Sequence, residues 1–182
     1  MIVQTFIQKW RISMISSLEK LAKLDDIDFK ILTVLMEDAR LSMNKIAEKI
    51  GISVATVSAR VKKLESLGVI ERYTIYVNCK TLGFQASAIF LIKVSKNIEE
   101  VGRLIAELNE TRAVYRVTGR FDLAVHFSCI TIDSLAAMID KIKKIPNVED
   151  VETMVILDIL KDRPHPSPEV IKKASRMALG EK

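Results

Sequence analysis

Between residues 43 and 64 the apolar positions of this chain recur three and four apart, with polar and mostly basic or hydroxylated residues between them and Glu48 the one acid. Residues 43–49 predict one short helix. Gly51 predicts a turn, because glycine reaches positive φ without a side-chain clash. Ser53 predicts the N-cap of a second helix. On that helix Val54, Val57, Val61 and Leu64 fall at helical spacing and predict a core face. The opposite surface carries Ala55, Thr56, Ser58, Ala59, Arg60, Lys62 and Lys63, with no acid before Glu65. Residues 25–38 open on acids, favourable at a helix N-terminus, and place Ile27, Ile31, Leu32 and Leu35 on one face. The three helices form a unit ending near Leu67 and Gly68. Residues 69–78 (VIERYTIYVN) then read as a strand leaving it, and residues 76–84, centred on 78–83, as a hinge.

Residues 85–160 alternate between two periods. Strands are expected at 86–94, 113–118, 123–129 and 148–160, and helices at 98–108 and 132–145, the latter stopped by Pro146 and Asn147. The order βαββαβ is that of a ferredoxin-like sandwich. The fold class read from the pattern is therefore α+β. A helix-turn-helix domain of winged-helix type (24–75) joins a ferredoxin-like domain (85–160). Residues 1–23 form an N-terminal extension in which Ile2, Phe6, Trp10, Met14, Leu18 and Leu21 make one helical stripe. It packs on the body, packs on a partner subunit or frays. Residues 161–182 form a C-terminal extension: a proline-stiffened linker, then a short helix capped by Ser167 with Pro168 at its first position.

Charge sharpens this picture. The net charge is +5, from 28 Lys+Arg and 23 Asp+Glu in 182 residues. Residues 40–63 hold Arg40, Lys45, Lys49, Arg60, Lys62 and Lys63 against Glu48 alone, so this segment carries the whole excess. A basic excess on a helix-turn-helix suits double-stranded DNA, where it neutralises phosphates and releases counterions. The plainer alternative is a helical hairpin with a solvated basic face. On the DNA reading, Ser53, Ala55, Thr56 and Ala59 lie nearest the base edges, Arg60 and Lys63 carry affinity, and Arg40 and Ser42 contact phosphates.

Other chemistry is sparse. No apolar run reaches the about 18 residues that span a bilayer, and the N-terminus does not read as a signal peptide. Cys79 and Cys129 lack disulfide-framework or metal-site spacing, so a cytoplasmic protein without metal or cofactor is expected. His126, on an apolar strand, reads as a buried, hydrogen-bonded residue, and His165 as exposed.

Residues 24–83 resemble the N-terminal half of the feast/famine (Lrp/AsnC) transcription regulators, archaeal-like. The stretch from Leu24 to Ser42 (LDDIDFKILTVLMEDARLS) stands where that family has its opening helix and acidic-Ala-Arg turn. GISVATVSARVKKLESLGVIERY stands as its reading helix and exit strand. Residues 85–160 are similar to its effector-sensing domain, including TGRFD at 118–122 and IPNVEDVET near the end. The resemblance covers about 135 residues. It implies homodimers paired through their sheets, assembling into tetramers or octamers, with amino-acid effectors bound between dimers. A dimer would present two reading helices to a palindromic site, about 10 base pairs or a multiple apart.

The resemblance also implies an effector site at the turn Gly119–Asp122. There Gly119 allows close backbone approach, Phe121 supplies a wall, Asp122 meets a ligand's charge and Thr153 lies across the pocket. The alternative for Asp122 is structural: capping its turn, or pairing with Arg120 or Arg116. Family members often carry Thr-x-Thr where this chain has Val151-Glu152-Thr153, so a different effector or none is open. Two rival functions follow. One is architectural DNA binding without an effector. The other is catalysis like that of siroheme decarboxylases, which resemble this family. With two histidines and no nucleophile or metal-ligand cluster, no catalytic residue is assigned, and the expectation is no enzyme.

Overall fold

The structure, a computed structural model, describes residues 14–180 and divides into two compact units. The N-terminal stripe falls mostly outside the described residues; within them, residues 14–21 are helical. The first unit contains helices α1 (Asp26–Glu37), α2 (Met43–Ile50), α3 (Val54–Ser66) and α6 (Pro168–Ala178). Asp25 caps α1: its carboxylate accepts from the Ile27 and Asp28 N–H groups, and Asp28 accepts from the Asp25 N–H in return. Ser42 caps α2 through the Lys45 N–H, and Ser53 caps α3 through the Thr56 N–H. Gly51 takes the left-handed conformation, φ 74°, that lets the chain reverse between α2 and α3.

Ile31, Val34, Ile46, Ala47, Val57, Val61 and Leu64 form the core of this unit. Val54 does not belong to it. It is 42% exposed, because helical side chains lean toward the N-terminus and the first residue of α3 leans past its end. Residues 71–78 form neither helix nor strand. Their β-branched and aromatic residues favour an extended chain, but a ladder needs a neighbouring strand and no described segment supplies one. Helix α6 packs on α1, with Lys172 Nζ 2.8 Å and Arg176 3.5 Å from the Asp26 carboxylate. Ser167 occupies the cap position but accepts no backbone N–H; its hydroxyl donates to Glu169.

The second unit is an antiparallel sheet of β1 (Ala86–Val94), β2 (Thr111–Arg116), β3 (Leu123–Cys129) and β4 (Val148–Val155) in the order β2-β3-β1-β4. Helices α4 (Ile98–Ala106) and α5 (Ile132–Lys143) cover one face. Alternate strand residues (Ala88, Phe90, Ile92, Leu123, Val125 and Phe127 among them) meet Val101, Ile105, Leu135, Met138 and Ile142 there. Phe90 and Phe127 pack with ring centroids 4.7 Å apart. Ser87, Ile89, Leu91, His126, Tyr115 and Met154 belong to the opposite face, on which neither α4 nor α5 lies.

Several boundaries differ from expectation. β2 runs two residues earlier than 113–118, with an irregularity between Thr111 and Ala113. The helices end two residues before 108 and 145. β4 stops at Val155, because β1 begins at Ala86 and offers little ladder beyond the Ile156 N–H bond to Ser87. Leu157 and Leu160, expected in that strand, are almost fully exposed. The segment at 78–83 is a tight turn, with the Leu82 N–H bonded to the Asn78 and Cys79 carbonyls and the Phe84 N–H bonded to Cys79.

Candidate functional site

The surface of α3 away from the core divides in two. Ser53, Ala55 and Ala59 are exposed and Thr56 is half-buried. The Ser53 and Thr56 hydroxyls are 2.7 Å apart. This end of the helix is small and polar and presents no carboxylate. One turn further on, the cations are not free. Arg60 NH1 lies 2.6 Å from Asp25 Oδ2 and 3.4 Å from both oxygens of Asp28, and Lys63 Nζ lies 2.6 Å from Asp28 Oδ2. The Arg60 and Lys63 side chains retain 28% and 30% exposure, whereas Asp28 has none.

Two cations of α3 are thus pinned to two carboxylates at the start of α1. Burial opposes ionisation of Asp25, yet the Asp28 N–H and the Arg60 guanidinium hold its pKa below the ordinary carboxyl value. The hydrogen bond to Asp25 raises the pKa of Arg60 above its already high ordinary value. From the sequence, Asp25 and Asp28 read only as acids favourable to a helix N-terminus. A sharper signal was present: Asp28 falls four residues after Leu24 and three before Ile31, on the buried stripe, where a charge must be partnered.

Lys45, Lys49 and Lys62 are exposed, with no carboxylate partner within 4.0 Å among the described residues. Arg40 is 88% exposed in its side chain and bonds Asp38 in the turn before α2. Ser42 is exposed, its oxygen engaged in the cap.

In the second unit Asp122 bridges to β1. Its backbone N–H donates to the Ile92 carbonyl and its carboxylate accepts from the Val94 N–H at 2.9 Å, with Lys93 Nζ 3.0 Å away. Burial works against the charge, but the Val94 N–H and Lys93 lower its pKa. The expected alternative partners pair elsewhere: Arg116 with Glu99, and Arg120 with Asp150 and Glu152 at 3.9–4.0 Å. Phe121 is buried, and the Arg120 guanidinium stands 5.0 Å from its ring centroid. Gly119 has φ 118° and nothing within 4 Å of where a Cβ would sit. The backbone angle, rather than close approach within this chain, is what requires glycine there. Thr153 faces Phe90 across the ladder, while Asp122 bonds Val94, four positions on along β1 or about 13 Å.

His126 is half-buried rather than buried, and Nε2 bonds the Ser87 hydroxyl at 2.8 Å. Burial and the nearby Arg112 lower its pKa, while Asp162 acts in the opposite direction. Among the described residues no helix is long and apolar enough to cross a membrane.

Comparison with known proteins agrees with both units. Residues 24–71 match the winged helix-turn-helix DNA-binding family and residues 87–166 the Lrp/AsnC ligand binding domain. An uncharacterized HTH-type transcriptional regulator of Pyrococcus furiosus is 38% identical over 141 residues, covering 77% of this chain and 95% of that protein. The transcriptional regulator Ptr1 of Methanocaldococcus jannaschii is 37% identical over 76% of this chain and 95% of its own length. The structure of Escherichia coli AsnC superposes with a TM-score of 0.70 at 29% identity, over 78% of this chain and 97% of that one. Bacillus subtilis LrpC gives 0.70 at 31%, over 78% and 99%. Helix-turn-helix, βαββαβ sheet and relatives agree: the chain belongs to the Lrp/AsnC family of HTH-type transcriptional regulators.

Proposed function

We propose that this regulator binds a specific palindromic duplex as a dimer or higher oligomer, reading bases with the first two turns of α3. The observation that carries this reading is the exposed, carboxylate-free end of α3, where Ser53, Ala55, Thr56 and Ala59 leave room for base edges. Arg60 follows one turn beyond Thr56 and reaches a base or phosphate with the donors it has not spent on α1. Lys45, Lys49 and Lys62, with Arg40, supply phosphate attraction. Isolating a duplex from a random-sequence pool and measuring its affinity against unselected duplex tests this. Failure of any sequence to enrich refutes sequence-specific reading and leaves architectural binding.

Dimerisation through the sheet is supported by the face bearing Ile89, Leu91, Tyr115 and Met154, which neither helix of the unit covers. Sedimentation of residues 76–162 should show self-association, and a monomer would refute it. The effector reading places a small amino acid at the turn of Gly119, Phe121 and Asp122, where its ammonium would compete with Lys93 for the Asp122 carboxylate. Thr153 would take part only through a ligand that extends along β1. An amino-acid panel tested for changes in assembly or DNA affinity, with the Asp122→Asn protein in parallel, decides this. A response identical in both proteins refutes the site.

A further inference from the structure

Of the three cations on α3, Lys62 is unpaired among the described residues, while Arg60 and Lys63 are not electrostatically free. The carboxylate that meets Arg60 is unusually well fixed. Asp25 Oδ1 accepts the Ile27 and Asp28 N–H groups, which locks the carboxylate to the end of α1 and turns Oδ2 toward α3. Arg60 contacts both Asp25 and Asp28 through NH1. Among the described residues its Nε and NH2 have no hydrogen-bond partner, so one edge of the fork remains available. An arginine held by one nitrogen on a rigid carboxylate loses less rotamer freedom when the other edge meets a base or phosphate.

We infer that Asp25 is a positioning residue for DNA recognition: it orients the Arg60 guanidinium so that Nε and NH2 face the duplex. The inference rests on the proposed role of Arg60 in DNA contact and deepens it. It also separates two jobs that charge alone would merge. Arg60, its charge matched by Asp25, contributes to discrimination between sequences. The unpaired lysines contribute the salt-dependent attraction common to all duplexes.

The substitution Asp25→Asn suits the test, because asparagine is an equally good N-cap and removes the charge alone. Asp26→Asn removes the same charge one residue away, from a carboxylate facing Lys172 and Arg176 instead of Arg60. The readout is the ratio of affinities of the full-length protein for a duplex selected from a random pool and for unselected duplex of equal length. Asp25→Asn should lower that ratio at least about fivefold relative to Asp26→Asn, the lower end of what a bidentate base contact discriminates. In an Arg60→Ala background it should have no further effect.

Equal ratios for Asp25→Asn and Asp26→Asn would overturn the inference and leave Asp25 a helix cap. So would a rise in affinity for both duplexes with the ratio unchanged, since Asp25 would then be competing with phosphate for Arg60. An unchanged ratio in Arg60→Ala itself would instead remove Arg60 from the proposed interface. Thermal unfolding of Asp25→Asn, with Asp25→Ser as a second capping variant, confirms that a lost ratio is not lost folding.

Discussion

Lys63 Nζ lies 2.6 Å from Oδ2 of Asp28, a carboxylate with no exposed side-chain surface that precedes it by 35 positions. This contact fastens α3 to α1, and the same carboxylate closes the capping box at the start of α1. A buried acid with three polar attachments is costly to leave half-satisfied.

Asp28→Ala should therefore destabilise the first unit by about 2–4 kcal/mol, since it strips Lys63 and Arg60 of a partner and opens the cap. Urea denaturation followed by helical circular dichroism measures this. The double variant with Lys63→Ala should lose less than the sum of the single losses, because the second change removes a cation already orphaned.

Ion pairing should also divide the lysines by their salt dependence on unselected duplex. Removing Lys45, Lys49 or Lys62 should each lower the slope of log affinity against log salt by up to about 1. Lys63→Gln should lower it less, because a cation already engaged by a carboxylate displaces fewer phosphate counterions. Fluorescence anisotropy across a salt series reads the slopes, and equal slopes for all four would contradict the pairing argument.

Acid should weaken the sheet unit in two stages. His126 has a folded pKa below its ordinary value of about 6.5, so the unfolded chain protonates first. Its contribution is complete above that ordinary value and is lost as pH falls through the lower, folded one. Asp122 also has a lowered folded pKa, and its contribution vanishes at more acid pH, below the ordinary carboxyl value of about 3.8. Unfolding midpoints of His126→Gln should be flatter than those of the unmodified protein between about pH 7 and 5.

Removing residues 167–182 should lower the stability of the first unit by no more than about 1 kcal/mol, because α6 buries no residue and its ion pairs with Asp26 are exposed. Calorimetry of the shortened protein checks this. Failure of the first unit to fold would show that α6 does more than its surface contacts indicate.

The sequence alone determined helices α1, α2 and α3 of the first unit and the βαββαβ order of the second. Helical spacing of Ile31, Val57, Val61 and Leu64 and alternation through Ala88, Phe90 and Ile92 are local encodings of a buried face, and burial follows them. The cap at Ser53 and the left-handed Gly51 were legible for the same reason, since each acts within four residues. What was not legible depends on a distant partner. Residues 71–78 and 156–160 have strand composition, yet a ladder requires a neighbour that composition cannot supply. Asp122 reads in sequence as a turn residue; only the fold brings it to the Val94 N–H, 28 positions away. Counting charge along residues 40–63 credits Arg60 and Lys63 as free cations. Tertiary structure alone sets Asp25 and Asp28 against them, because Coulomb attraction acts through space and not along the chain.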